Sequence, residues 1–477
     1  MSDVAPLVPG IDISGLSDDE NRVLQWLAQR LNGVRGELLL SNSYYEGLQQ
    51  VTNLGISMPP ELDGLRAVLG WPQSGVDALD ERLDLQGFRL PGITTADADL
   101  WAIWEENNLS AESKLVHLDS LIYGAAYALV GTDDDGDVTI TAESPINLVA
   151  FYDTYARKTT CAYQAYVEVD PLSPLYSRQR AVLYLPGSTI HVVSDGSRWE
   201  LVERDDHKLG MVPVVPFLNR QRTGVREGQS EITAAWRNTV DRASRSMVAM
   251  EGIREFFGAP KMLVLGATES AFQNNDGSTK TAWETYLGRV LALEATPEGD
   301  IPKVERFAGE DPGAIIKLID HERHHMAGLT GLPPQYLGIF SDGNPASADA
   351  IRMSDYRLQK KADRKAVQFG DCWEQVMRLA VLVRDGELPD QMNRLESDWA
   401  PTGIPTPAAD VDATTKLNAA GVLPPTSDVQ LTRLGYTANE RDRIRIERDK
   451  ASAATAVATL LASRTTEPPP DQNAITG

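Results

Sequence analysis

One segment limits the fold more than any other. From Asn344-Pro345 to Arg384 the chain keeps a helical pattern for about 40 residues before Gly386 and Pro389 stop it. At about 1.5 Å per residue that is roughly 60 Å, longer than most helices of globular proteins. Its start carries an Asn cap with Pro at the first helical position, and Gly370 is where a kink is expected. Two other helices precede it. The first spans about Ser230 to Phe257, with Ile232, Trp236, Val240, Ala243, Met247 and Met250 along one face and Gly258 and Pro260 as its stop. The second opens at Asp311-Pro312, carries Ile315, Ile316, Leu318 and Ile319, and ends at Gly328, Gly331 and Pro333-Pro334. Residues 259–310 between them read as a mixed insert with strand-like KMLVLG and VLALEA segments.

The remainder reads as an α+β protein. Ser17 and Glu20 form an S-x-x-E capping box ahead of Val23, Leu24, Leu27, Leu31, Val34 and Leu38, a helix ending near Tyr44-Tyr45. Residues 97–130 look helical, and from about 124 to 220 the pattern changes to short strands with turns. Asp133–Asp137 (DDDGD) is not a calcium loop, because an EF-hand needs Gly at its sixth position and Gly136 is the fourth. A hairpin turn accounts for it. Beyond Pro401 a linker leads to helices around 408–420, 427–435 and 437–463, then to a tail, TTEPPPDQNAITG, of disordered composition.

With 477 residues, 42% of them hydrophobic and 24% charged, the chain has the composition of an ordinary soluble globular protein. Its length corresponds to about three domains. No apolar run reaches the roughly 18 residues of a membrane helix, and the acidic N-terminus lacks the features of a secretion signal. Cys161 and Cys372 are too few for a disulfide framework and have no metal-ligand spacing, which points to intracellular folding.

The formal net charge is −23, and residues 1–150 hold 24 acids against 7 bases. That acidity argues against a tight grip on nucleic acid. Residues 351–450 balance 16 acids with 16 bases, and within them 352–365 (RMSDYRLQKKADRK) carries six bases and two acids. Arg220, Arg222 and Arg226 form a second basic run. A solvated helix face is the first account of such runs; contact with phosphates or with another subunit is the second.

His321-Glu322-Arg323-His324-His325 satisfies H-E-x-x-H, which on a helix puts two imidazoles on one face with Glu322 as general base of a zinc peptidase. Catalytic zinc needs a third protein ligand. Gly328 fits the extended pattern, but Gly331 stands where its final His belongs, and Asp342 and Asp349 have no recognised ligand spacing. The favoured account is a polar helix face. Walker A, G-x-G-x-x-G, G-x-S-x-G and C-x-x-C signatures are absent, and His117, His191 and His207 read as structural. No catalytic residue, metal or cofactor is assigned.

The order of elements is more telling than any motif. Gly210–Asn219 (G-x-x-P-V-V-x-F-x-N), Gly228–Glu231 leading into a helix, the insert, LPPQYLG at 332–338, and the junction Asn344–Arg352 (NPASADAIR) together resemble the portal proteins of tailed bacteriophages, particularly the SPP1-like group of actinobacteriophages. The resemblance implies a portal fold: 1–228 most of the wing, 229–258 and 311–330 the stem helices, 259–310 a small α/β clip, 331–400 the tunnel loop, spine helix and rest of the wing, and 401–477 the crown and tail. It implies a ring, usually of twelve subunits, at one capsid vertex, through which double-stranded DNA is packaged and ejected. Implied partners are the terminase large subunit, the head–tail connector, and the major capsid and scaffolding proteins. The implied location is the virion, with assembly in the host cytoplasm. Asp342, Gly343, Asn344 and Ser347 would lie in the DNA-facing tunnel loop, and Arg237, Arg242 and Arg245 would serve stem contacts or DNA-facing charge. The loop IFSDGNPASA has no Lys or Arg, so it could sit near DNA without gripping phosphates.

Overall fold

The computed structural model describes residues 13–50, 67–93, 96–133, 135–194, 198–257, 262–265, 303–306, 311–339, 348–403, 407–422, 424, 427–434, 436 and 438–464. They divide into two compact units: Met1–Glu46 with Pro72–Thr233 and Gly331–Gly477, and Gly47–Trp71 with Ala234–Thr330.

The first unit begins with α1 (Asp18–Tyr45), and its capping box forms as the sequence requires: Glu20 N donates to Ser17 Oγ and Ser17 N to the Glu20 carboxylate. Leu24, Leu27, Ala28 and Leu31 face inward at three- and four-residue spacing. They meet one face of a five-stranded antiparallel sheet, β4 to β8 (Leu148–Asp153, Lys158–Val167, Gln179–Tyr184, Thr189–Ser194, Trp199–Asp205). Alternation along the strands builds two cores. Tyr163, Leu183 and Val192 pack under α1, while Ala162, Val182 and Tyr184 on the opposite face pack with Tyr127, Val212 and Val214. Tyr127 and Val214 belong to a three-stranded antiparallel sheet of β2 (Ala125–Thr132), β3 (Val138–Glu143) and β9 (Val214–Leu218), ordered β3-β2-β9.

The DDDGD segment is the β2–β3 hairpin turn. Asp133 N donates to Asp137 O at 3.0 Å, and the Asp133 carboxylate accepts the Asp135 and Asp137 amides. The expected helix over 97–130 is instead two helices and a strand. After α2 (Trp71–Asp80) and β1 (Leu85–Arg89), α3 (Ala98–Glu106) and α4 (Leu109–Tyr123) are separated by Asn108 at φ 51°. Gly124 at φ 94° then ends α4 and starts β2.

In the second unit, α5 (Ala234–Phe257) and α6 (Gly313–Thr330) bracket an antiparallel pair, β10 (Met262–Leu265) and β11 (Lys303–Arg306). KMLVLG is thus a strand at its centre, and VLALEA lies outside the described residues. The helix expected from Ser230 begins four residues later. The amides of Gln229 and Glu231 donate to Asn219 O and Leu121 O, both at 2.9 Å, and so are held outside a helical ladder.

The long helix belongs to the first unit. As α7 it is described over Ala348–Asp385, 38 residues, and it runs unbroken through Gly370. Gly370 does not interrupt it, and its missing Cβ serves close packing: a Cβ there would collide with the Ser397 hydroxyl and stand 3.1 Å from Trp399 Nε1 on β12 (Glu396–Trp399), which pairs with β1. Helices α8 (Pro407–Ala419), α9 (Asp428–Arg433) and α10 (Ala438–Arg464) follow, close to the expected bounds. Residues 465–477, the whole of the expected tail, lie outside the described residues. No helix among the described residues is long and apolar enough to cross a membrane.

Two glycines permit the α4–β2 junction to be so tight. A Cβ on Gly228 (φ 86°) would land on the Gly124 carbonyl oxygen, and one on Gly124 would come within 2.6 Å of the Gln229 backbone. Gly228→Ala is therefore expected to destabilise the protein by about 2 kcal/mol or more through backbone strain and collision, read as a lowered denaturant midpoint at unchanged m-value.

Candidate functional site

Two buried or half-buried ion pairs organise the residues that the sequence singled out. The first centres on Asn219, the last residue of the G-x-x-P-V-V-x-F-x-N segment and fully buried. Its amide N donates to Gly124 O at 2.8 Å, its Nδ2 to Gln229 O at 2.9 Å and to Glu231 Oε1 at 3.3 Å, and its Oδ1 accepts Lys365 Nζ. Lys365 Nζ also lies 3.2 Å from Glu231 Oε1. Burial opposes ionisation of Glu231, yet the charges of Lys365, Arg220 and Lys361 outweigh it and hold its pKa below the usual glutamate value. Gln368, one turn further along α7, donates Nε2 to Leu218 O. The hub thus joins β9, the α4–β2 junction, the lead into α5 and the middle of α7.

Lys365 was expected on a solvated face, and that expectation is corrected. Its side chain is only 9% exposed because the position turns inward toward Asn219 and Glu231. Nearer the start of α7, Asp355 is also buried, forked against Arg82 at 2.8 and 3.0 Å, and Arg82 donates further to Thr402 O and Tyr336 Oη. A third polar group packs beside this core. His117 is fully buried, stacks on Phe369 and accepts Trp373 Nε1–H at Nε2, 2.8 Å away; burial pushes its pKa down to about 3. It is structural, as its sequence context implied.

The second ion pair crosses the α5/α6 pair. Arg242 donates Nε to Glu322 Oε1 at 2.9 Å and Nη2 to Oε2 at 2.7 Å, engaging both carboxylate oxygens. This leaves the zinc-peptidase alternative without support. A glutamate closed in a fork with arginine is not a free general base, and His321, His324 and His325 are exposed. His324 Nδ1 is spent on Asp320 O at 2.8 Å. Among the described residues no group of three or more His, Cys, Asp or Glu is placed to hold a metal ion. Arg242 is thus held by Glu322 across the α5/α6 pair. Arg237 and Arg245 are half-buried on the same helix. The expected tunnel-loop residues Asp342, Gly343, Asn344 and Ser347 lie outside the described residues.

The fold and hub can now be set beside known proteins. The family model described as phage portal protein, SPP1 Gp6-like, matches residues 25–453. The chain belongs to this family. It is 34% identical over 416 residues to the portal protein of Mycobacterium phage D29, which covers 85% of this chain and 84% of that relative. It is 34% identical over 420 residues to the portal protein of Mycobacterium phage L5, covering 86% and 84%. A solved structure described as the neck of an empty GTA particle computed with C6 symmetry is similar at a TM-score of 0.46 and 13% identity, over 80% of this chain and 94% of that one. Membership of the portal family lends no support to the metallopeptidase alternative. The segments that pointed to it in the sequence, Gly210–Asn219 and Gly228–Glu231, are those that meet in the Asn219 hub. What sequence reasoning missed there is Lys365, whose local signal was a run of like charges.

Two measurements follow. Lys365→Met leaves a buried carboxylate without its partner and is expected to cost about 3 kcal/mol in chemical denaturation. The double variant with Glu231→Leu recovers much of that loss. Glu322 is held below the usual glutamate pKa by its bond to Arg242. The pair's stabilisation is thus present above the unfolded value of 4.5 and lost as pH falls through the lower folded value. Hydrogen-exchange protection of α5 and α6 should drop on acidification from pH 5 to pH 3 in the wild type, and by clearly less in Glu322→Gln.

Proposed function

We propose that this chain assembles into the portal ring of a phage capsid vertex, the channel through which double-stranded DNA is packaged and ejected. The observation that carries the reading is 34% identity to two proteins named as portal proteins over 85% and 86% of the chain. The ring is proposed to hold twelve copies. Its partners are proposed to be the terminase large subunit during packaging, the head–tail connector afterwards, and the major capsid and scaffolding proteins during assembly in the host cytoplasm. Energy for translocation would come from the terminase, so no catalytic residue is assigned to this chain.

Within that reading, 1–228 and part of 331–400 form the wing, 229–258 and 311–330 the stem, 259–310 the clip and 401–477 the crown. The Arg242–Glu322 fork supports the stem assignment, since it ties the two helices to each other. Asp342, Gly343, Asn344 and Ser347 are proposed to face DNA in the tunnel loop. Their small polar side chains, with no Lys or Arg nearby in the loop, would slide past phosphates without holding them.

Negative-stain images of the purified full-length protein should show rings with a central hole. A monomer at all accessible concentrations would overturn the proposal, as would stoichiometric zinc together with proteolysis that Glu322→Gln abolishes.

A further inference from the structure

The two basic runs of the sequence, Arg220–Arg226 and Arg357–Lys365, are about 130 residues apart in the chain and come together in the fold. The joint is made by the Asn219 hub and by Gln368, whose Nε2 reaches Leu218 O and, at 3.4 Å, Gln221 Oε1. The loop is itself pinned. Arg222 and Val225 exchange backbone hydrogen bonds of 3.0 and 2.9 Å, and Gln221 Nε2 donates to Arg226 O at 2.7 Å. Arg220 is held at φ 50°, a left-handed conformation that is unfavourable for a non-glycine residue and needs its surroundings to impose it.

On α7, Arg357, Lys361 and Lys365 recur every four residues and share one face. Lys365 is buried, Lys361 half-buried and Arg357 exposed, its guanidinium lying across Gly331. Four cations, Arg220, Arg357, Lys361 and Lys365, thus act on one another around the single carboxylate of Glu231. Burial pushes the Lys361 ammonium below its usual pKa, and the positive charges of Arg220, Arg357 and Lys365 add to that against the opposing pull of Glu231. The carboxylates nearest these basic positions in the chain are engaged: Glu227 with Arg30 at 2.6 Å, Asp355 with Arg82 at 2.8 Å, and Asp363 with Lys360 at 3.0 Å and the Thr402 hydroxyl. Arg222 and Arg226 stand exposed on the same loop.

A chain of net charge −23 has therefore gathered a cationic surface on a pinned loop and a rigid helix, with its charges already desolvated in part. Such a surface favours a polyanion whose charges are spread, because each of several guanidinium groups can take a separate oxygen. We infer that this surface, formed by Arg220, Arg222, Arg226, Arg357 and Lys361, binds the phosphodiester backbone of DNA without regard to sequence. The inference rests on the proposed conduit for the identity of the polyanion, and it adds to that conduit a place where phosphates are held.

The test uses the full-length protein and a short fluorescent duplex, with affinity measured by anisotropy across a salt series. The variant carries Arg222→Gln, Arg226→Gln and Arg357→Gln, three exposed positions, and its fold is checked by circular dichroism and thermal denaturation. The expected result is at least a tenfold weaker affinity, equal for duplexes of unrelated sequence, with the slope of log affinity against log salt reduced by about one per phosphate contact removed. An unchanged slope in a folded variant overturns the inference. So does loss of rings in negative stain with DNA affinity intact, which assigns the cations to carboxylates of a neighbouring copy. Failure of the wild type to form rings overturns the portal proposal and leaves the anisotropy comparison to be read on its own terms.

Discussion

The buried contact of Lys365 with Glu231 and Asn219 is the constraint on which the first unit depends. An ammonium and a carboxylate taken out of water lose several kcal/mol of hydration each, and their mutual attraction returns it only when the remaining lone pairs and protons are also satisfied. Asn219 supplies that condition. Its Oδ1 accepts from the lysine while its Nδ2 donates to the glutamate, so one amide completes both ions. The arrangement holds only if β9, the α4–β2 junction and α7 arrive in one register. Gly124 and Gly228, the two residues without a Cβ at the point of closest approach, make that register sterically possible. Hydrophobic packing alone would tolerate small slips of a 38-residue helix along a sheet. A buried triad of complementary groups does not.

The α5/α6 pair shows the same chemistry under weaker burial. Glu322 is enclosed while Arg242 remains 43% exposed, so the fork is screened on one side and serves orientation more than stability. The pair also explains how a metalloprotease signature can be satisfied in letters and empty in chemistry. H-E-x-x-H specifies helix geometry and two imidazoles, and α6 supplies both. It says nothing about what faces the glutamate from a neighbouring helix, and here that is an arginine eighty residues earlier in the chain.

Local signals in the sequence translated into local structure with little error. The Ser17–Glu20 box, the DDDGD hairpin and the long α7 all rest on interactions within a few residues, which a linear reading can see. Corrections arose where a distant segment intervenes. Gly370 looked like a weak point because the partner that requires its missing Cβ, β12, lies about 30 residues ahead. The helix expected at Ser230 starts at Ala234 because Leu121 and Asn219 claim the amides of Glu231 and Gln229. Lys365 was hidden among like charges, since nothing in RMSDYRLQKKADRK marks which lysine turns inward. The hub was visible only as its pieces, and the resemblance to portal proteins had already selected those pieces without showing why they belong together.

Net charge is the least informative number the chain offers about DNA. At physiological ionic strength, charges more than about 8 Å apart are largely screened, so an excess of acids in residues 1–150 scarcely alters the potential at a distant surface. What a passing duplex meets is the local arrangement. If the loop 339–348 faces DNA as proposed, its lack of Lys and Arg would give the duplex little to hold, while Arg222, Arg226 and Arg357 would present donors on a pinned loop and a helix. A net-acidic protein with one built cationic surface repels nucleic acid in general yet retains it at a chosen place. A uniformly basic chain, by contrast, would bind phosphates along its whole length and slow their passage. Overall acidity and a local cationic patch are therefore complementary parts of one electrostatic design.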